Sequence, residues 1–526
     1  MWAIAAALAW EFWGRHRRGL TGAAALVAGV AAYTAAAAPA PQVAMANTIW
    51  FVMALSYVIG VFAYGFEARL ESAESGFPAR HFVLPVPTWL LVGWPMIQGM
   101  LAAVAVWVAW DRFVLRPAGV ETPGWWVPML AAVVACAQAL VWLPFGVAWV
   151  RVVAMALALT VLLRSNAYFD DPATQERVLT GVAAGLVPAA FLVARAGVGR
   201  ARRGDNPEWS WLRRPAPGER VTGGGRERTP FASAMAAQTW YEWRLRGRGF
   251  LATVLAVVGV LAAVALLFEH PSNRADFGLI FLFIPPLLAA YFGVAAGSPG
   301  ESIRSTALTT FAATRPLGNR ELVAAKVRAL TLSAALTWLV VLAVTAGWIA
   351  AADGFERVGR MWESAVERQG RATAVGFCAL LAAGLVGGTW RALVANLWVG
   401  LTGRTWLVPL QTFLISLPAA YLFAEWVQWH SDPARRERLL DALPWVAAAA
   451  VGVKLLATGW FVSRVEGAGR LVAAWAVAAA ALAGVLAWLV PPELVPAYGV
   501  GLGVVLLLPL ARLTAAPLAL AWSRHR

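Results

Sequence analysis

Charge is what this sequence has least of. Only 13% of its 526 residues are charged, about half the share of a soluble globular domain. Lysine is nearly absent, with Lys326 and Lys454 the only two. That excludes a phosphate-cradling loop of the GxxxxGK type, which needs a lysine after a glycine-rich turn. Lys326 follows Ala325 and Lys454 follows Val453. The two cysteines, Cys136 and Cys378, sit in apolar runs and give no disulfide framework or thiolate metal site. His16, His81, His270, His430 and His525 are scattered, without an HExxH or a GxSxG, so nothing points to zinc or acyl-transfer chemistry. Carboxylates hardly enter the apolar runs, and Glu425 stands only at the end of one. That weighs against an ion-driven secondary transporter. Asp170-Asp171 and Glu71/Glu74 lie in polar stretches and read as caps and turns.

What remains is apolar: 60% of the residues are hydrophobic and the mean hydropathy is +0.66. Runs near 20 residues, the length a helix needs to cross a bilayer, fall at 20–38, 47–65, 89–110, 127–146, 147–163 and 178–195. After a polar linker they resume at 250–268, 277–296, 322–350, 372–400, 405–424, 443–463, 471–490 and 495–511. A spanning helix satisfies its own backbone hydrogen bonds in lipid. The expected fold is therefore an all-α integral membrane protein, a polytopic bundle of about 12–14 transmembrane helices.

The net charge of +15 implies anionic lipid and cytoplasmic loops rather than nucleic acid. The linker 197–230 is rich in Gly, Pro and Arg and reads as a flexible cytoplasmic connector. With the Arg15–Arg18 cluster and the tail at 523–526, it predicts cytoplasmic N- and C-termini for a multi-pass protein of the inner or plasma membrane. The N-terminus does not read as a secretory signal, because its positive cluster follows the first apolar residues. The stretch 353–370 spaces Phe355, Val358, Trp362 and Val366 helically and predicts a helix on the outer membrane surface. The mixed-charge stretch 430–442 reads as a solvated loop.

One sentence of this sequence is written twice. AWEFWGRHRRGL at 9–20 and TWYEWRLRGRGF at 239–250 align with Glu11 on Glu242, Arg15 on Arg246 and Arg17 on Arg248, 231 residues apart. Without a gap, the same offset puts Pro85 on Pro316 and Leu91-Val92 on Leu322-Val323. The chain reads as two repeated halves, 1–196 and 231–526, joined by the linker 197–230. Both start on the cytoplasmic side, which implies a pseudo-axis along the membrane normal. The repeated segment suits an interfacial helix that turns sharply into the bilayer, with Trp2, Trp10, Phe12 and Trp13, or Trp240, Tyr241 and Trp243, at headgroup depth. Each half then carries a Pro-containing cytoplasmic stretch between its second and third spans, 67–96 and 298–327, expected as a short helix and a turn.

That order of elbow, two spans, a cytoplasmic hairpin reading FAATRPLGNRELVAAK at 311–326, and further spans resembles the permease subunits of ABC-2-type exporters. The resemblance is greatest over 231–350 and weaker over 1–195. It implies a single-chain permease with both halves fused. The elbows would hold Glu11, Arg15, Arg17, Glu242, Arg246 and Arg248. The segments coupling to the ATPase would hold Gly76, Phe77, Pro78, Pro85, Thr309, Phe311, Thr314, Arg315 and Pro316. It further implies that this chain binds no cofactor, and that ATP and Mg belong to a separate cytoplasmic ABC ATPase partner. Membrane lipids and an unidentified exported substrate complete the expected partners, with no nucleic acid and no enzymatic step in this chain. Two apparent extra spans, 471–511, and unequal loops depart from the family pattern.

Charges inside spans are costly, about 2.5–3.5 kcal/mol for Lys or Arg at the centre. Lys454 in 443–463 and Arg391 in 372–400 are therefore candidate translocation-path charges, or residues that snorkel or pair. GxxxG spacings at Gly181/Gly185, Gly293/Gly297 and Gly384/Gly388 suggest close helix packing. The rival function is a polytopic membrane enzyme acting on lipid-linked substrates, with the acidic loops 164–177 and 353–370 as the places for its chemistry.

Overall fold

The computed structural model describes residues 2–36, 41–64, 75–144, 171–205, 231–268, 274–297, 317–352, 354–404, 407, 433–464 and 468–524. The described residues are helical or turn, with no strand among them. Nine of their helical stretches are long and apolar enough to cross a bilayer, and three shorter apolar helices accompany them. The chain is a multi-pass helical membrane protein. It divides into two compact units, Met1–Gly224 with Trp406–Arg436, and Gly225–Thr405 with Glu437–Arg526.

The first unit contains α1 (Trp2–Ala36), α2 (Pro41–Phe62), α3 (Thr88–Trp110), α4 (Trp126–Trp142) and α5 (Pro172–Arg203). Its core joins Phe12, Val58, Leu91, Trp110, Trp142 and Ala194 in one apolar cluster. α4 and α5 run parallel: Gly124 lies against Glu176 at one end, and Gly197 against Leu143 and Pro144 at the other. The span expected at 147–163, between them, lies outside the described residues. α5 starts on Asp171, whose carboxylate accepts from the amides of Ala173 (3.3 Å) and Thr174 (2.8 Å), with Pro172 preset for the first turn. The Thr174 side chain, then the amides of Thr174 and Ala173, hold this exposed carboxyl below the ordinary aspartate pKa. α5 stops at Gly204, whose φ of 80° is a left-handed cap that glycine adopts without a Cβ penalty. Residues 197–203 are therefore helix and not connector. Their Gly197 and Val198 are buried, and the arginines lie near the negative end of the helix dipole.

The second unit contains α6 (Ala234–Glu242), α7 (Arg248–Phe268), α8 (Arg274–Phe281), α9 (Ile284–Gly297), α10 (Asn319–Ala351), α11 (Phe355–Gln369), α12 (Arg371–Leu401), α13 (Pro433–Val462), α14 (Ala468–Leu489), α15 (Ala497–Leu507) and α16 (Leu510–Arg524). α13 belongs to this unit from Glu437 onward. Phe250, Phe281, Val341, Leu393, Leu397 and Ala516 lie in its core. The closest packing joins α9 to α12. A methyl group on Gly293 would collide with the carbonyl oxygens of Ala392 and Leu393, and one on Gly297 with the Leu397 carbonyl. Here the GxxxG spacing does what it does in membranes, letting backbones approach. Gly181, Gly185, Gly384 and Gly388 have no such neighbour.

Four expectations are corrected. The sharp turn after the repeated segment is absent. α1 runs unbroken through it, and α6 passes into α7 through one wide π-turn, Trp243–Gly247. Aromatic and arginine side chains can flank a helix in the interface without breaking it. Residues 433–442 are the first turns of α13 and not a loop, because Pro433 suits a helix start and Ala, Arg, Glu and Leu favour helix. The last span does not end at 511. It breaks at Leu508-Pro509 and resumes as α16. Phe12 is not a lipid-facing anchor: it is buried against Phe62 and Tyr64, at 5.4 and 5.1 Å between centroids. A helix does form within 353–370, as α11, with Phe355, Val358, Met361 and Trp362 exposed. The span expected at 405–424 falls almost wholly outside the described residues.

Overpacking of a close helix contact typically costs about 1–3 kcal/mol. Gly297→Val should lower the thermal midpoint of the purified protein by several degrees, read by fluorescence-detected size exclusion after heating. Gly384→Ala, facing open space, should leave it unchanged or raise it slightly.

Candidate functional site

Both glutamates of the repeated segment are held by cations from the chain at or just before the third long helix of their unit. In the first unit, Glu11 on α1 accepts from Arg80 Nε (3.1 Å) and lies 3.1 Å from His81 Nε2. Arg80 and His81 belong to a single 3-10 turn, Ala79–His81, ahead of α3. In the second unit, Glu242 closes α6, accepts from Gln238 Nε2 (2.8 Å), and pairs with Lys326 Nζ at 2.8 Å. Lys326 stands on the third turn of α10. This second pair is buried, with side-chain exposures of 10% and 8%, against 34% and 28% for Arg80 and Glu11. Burial makes loss of one partner far more costly in the second unit.

The end of the second long helix, α2 or α9, is capped in each unit, from α4 in the first and from the charged pair and Arg246 in the second. The last carbonyls of a helix have no partner within it. In the first unit, Gln138 Nε2 donates to Phe62 O (3.0 Å) and Pro95 O (3.1 Å), and Trp142 Nε1 donates to Ala63 O (2.9 Å). Gly99 leaves the space for Gln138, since a Cβ there would stand 2.7 Å from its amide nitrogen. In the second unit, Lys326 Nζ (3.1 Å) and Arg246 both donate to Ala296 O. Ser333 Oγ donates to Gly247 O (2.6 Å), at the end of the π-turn.

Tyr64 is the hub of the first unit. It ends α2 in the left-handed region, φ 57°, which costs a non-glycine residue about 1–2 kcal/mol. Its buried ring offsets this by meeting Phe12, Phe77, His81 and Trp142 at 5.1–6.0 Å. Gly76 N donates to Val141 O (2.9 Å). Arg202, at the end of α5, donates to the carbonyls of Phe82 (3.0 Å), Leu84 (2.7 Å) and Val86 (2.8 Å). The proline turn is thus clamped from two sides.

These contacts revise the expected coupling segment. Gly76, Phe77 and Pro78 are buried in the first unit and offer no docking face; Val83 (84% exposed) and Pro85 do. Burial of Phe77 follows from the ring cluster around Tyr64, invisible in the local sequence. Thr309, Phe311, Thr314, Arg315 and Pro316 lie outside the described residues, as does the Arg15 side chain. Arg17 is exposed, and Arg248 lies over the Trp243 ring at 4.9 Å.

The span charges form a second site. Lys454 Nζ donates to Val505 O (2.6 Å) and Leu506 O (2.9 Å). Those carbonyls end α15. An N–H at position 509 would bond Val505 O in a continuous helix, but Pro509 has none. The expected charge at Lys454 is therefore a cap on a broken helix. Arg391 and Arg512 lie within electrostatic reach of each other and of Lys454. Packing agrees: a Cβ added to Gly387, one turn before Arg391, would stand 3.6 and 3.8 Å from the Leu507 methyls. Arg512 was not among the expected site residues, since it lies one position beyond the apolar run at 495–511. Among the described residues, no group of three or more His, Cys, Asp or Glu side chains is placed to hold a metal.

No protein-family model matches the sequence, and neither a curated protein nor a solved structure matches it significantly.

Lys326→Met takes a cation away from the buried Glu242 carboxylate. It should cost about 3–5 kcal/mol, measured as thermal unfolding in detergent. The double variant Glu242→Gln/Lys326→Met should recover most of that loss, which gives a double-mutant coupling well above that of an exposed pair.

Proposed function

We propose that this chain is the membrane-spanning permease component of an ABC-2-type exporter. A separate cytoplasmic ATPase, with its ATP and Mg, would supply the energy. The observation that supports this reading is the tie between the repeated glutamate and the chain entering the third helix in each unit. A push on that chain from outside the bilayer passes by an ion pair to the first helix of the unit. In the first unit, the Arg202 clamp and the Tyr64 ring cluster stiffen the segment. A stiff segment tied to two helices transmits displacement; a loose loop absorbs it.

The repeat adds support, since two segments of one pattern suit two ATPase subunits. The lack of a phosphate-loop lysine fits a reading in which hydrolysis belongs to another polypeptide. Arginine-rich ends at 200–203 and 244–248 suit the cytoplasmic side. The rival reading, a membrane enzyme for lipid-linked substrates, calls for a carboxylate or imidazole beside the span cations. Among the described residues, none pairs with Arg391 or Arg512.

A photo-crosslinking residue at Val83, the most exposed position of the first segment, should capture an ATP-binding subunit in membranes of the native host. The same residue at the buried Phe77 should capture none. Failure of Val83 to capture an ATPase, together with copurification of none, would contradict the exporter reading.

A further inference from the structure

The cations at the α15–α16 break are arranged unequally. Lys454 is satisfied by two carbonyls. Arg391 and Arg512 have neither a hydrogen bond nor a carboxylate partner among the described residues. Arg391 reaches the surface of the unit and Arg512 is half-buried.

Their depth follows from the helices that carry them. Gly376 of α12 lies against Val490 and Pro491, just ahead of α15. At 1.5 Å per residue, Arg391 is about 22 Å along α12 from that level. Leu507 ends an 11-residue helix from the same level, and Arg512 lies one to two turns beyond it. Measured from the other end, Arg512 is about 18 Å from the close of α16. Both arginines therefore lie within apolar helical stretches, Arg371–Leu401 and Ala497–Ser523, long enough to cross a layer roughly 30 Å thick. An unpaired arginine inside such a stretch is costly, and two within mutual reach repel one another. A compensating anion removes both penalties.

Guanidinium groups match phosphate geometry with forked donors. A free phosphate ion is not delivered into an apolar layer. One attached to an apolar chain is, because the chain favours the bilayer. We propose that Arg391 and Arg512 bind the phosphate head of an amphiphile at the α15–α16 break, with Lys454 holding the break open. The two sources of that chemistry are a phospholipid of the bilayer and a phosphate-bearing amphiphilic cargo. The cargo form names a substrate class for the exporter proposed above and rests on that proposal. Binding is measured without any ATPase, so its failure is distinct from failure of the exporter reading.

The test uses the full chain, purified in a non-ionic maltoside, with decyl phosphate as the probe and decyl maltoside and inorganic phosphate as comparisons. Decyl phosphate should raise the thermal midpoint of the native protein, and the two comparisons should not. Arg391→Gln and Arg512→Gln should each weaken the apparent affinity about tenfold. The double variant should abolish the shift, while its own midpoint without probe is no lower than that of the native protein. Arg391→Lys should keep part of the response. Organic phosphorus that copurifies with the native protein and is missing from the double variant would assign the site to a bilayer phospholipid; a response to added probe alone would assign it to cargo. Equal shifts in native and double-variant protein, no shift in either, or an equal response to inorganic phosphate would overturn the proposal.

Discussion

A backbone carbonyl without a partner is the constraint on which this structure turns. In water, a broken helix end is solvated at little cost. In a bilayer each unsatisfied group costs several kcal/mol. The helix breaks and ends described above meet this cost with long side chains. Gln138 and Trp142 take the end of α2, Arg246 and Lys326 take Ala296, Arg202 takes three carbonyls of the proline turn, and Lys454 takes the end of α15. Four of these six donors are cationic, so the same groups set the local electrostatics.

Fixing the carbonyls also fixes the elements that would have to move. Lys326 joins Glu242 on one helix to Ala296 on another, and Glu11 joins α1 to the turn before α3. Each unit thereby has one charged junction where the first helix, the end of the second and the approach to the third meet. Such a junction is suited to carrying displacement across several helices at once. The cations at the α15–α16 break are a different case. There the capping lysine is satisfied and, among the described residues, its two arginine neighbours are not, which directs attention to an outside anion.

Hydropathy carried the fold class, because a run of 20 apolar residues has few alternatives to a helix in lipid. The repeated segment pointed to Glu11 and Glu242, and a lysine amid apolar neighbours pointed to Lys454. Their partners were not legible. Arg80, His81, Gln138 and Arg202 are separated from the groups they bind by between 43 and 120 residues, and only packing brings them together. Phe77 looked like a protruding aromatic because nothing local reveals the ring cluster behind it. Pro509 ended an apolar run on the page, whereas in the structure it interrupts a longer one and creates the need that Lys454 meets. The proposed exporter role rests on pattern and mechanical logic together, and no sequence or structural relative adds to it.

The central claim is that an orphan carbonyl explains each of the six capping donors named above, and the α15–α16 break isolates it best. Restoring an N–H with Pro509→Ala offers Val505 O an internal partner. The decisive measurement is a double-mutant cycle of thermal stability in lipid nanodiscs between Lys454→Met and Pro509→Ala. The account predicts that Lys454→Met is clearly destabilising beside Pro509 and much milder beside Ala at that position. An equal loss in both backgrounds would show that Lys454 is held for some reason other than the broken helix.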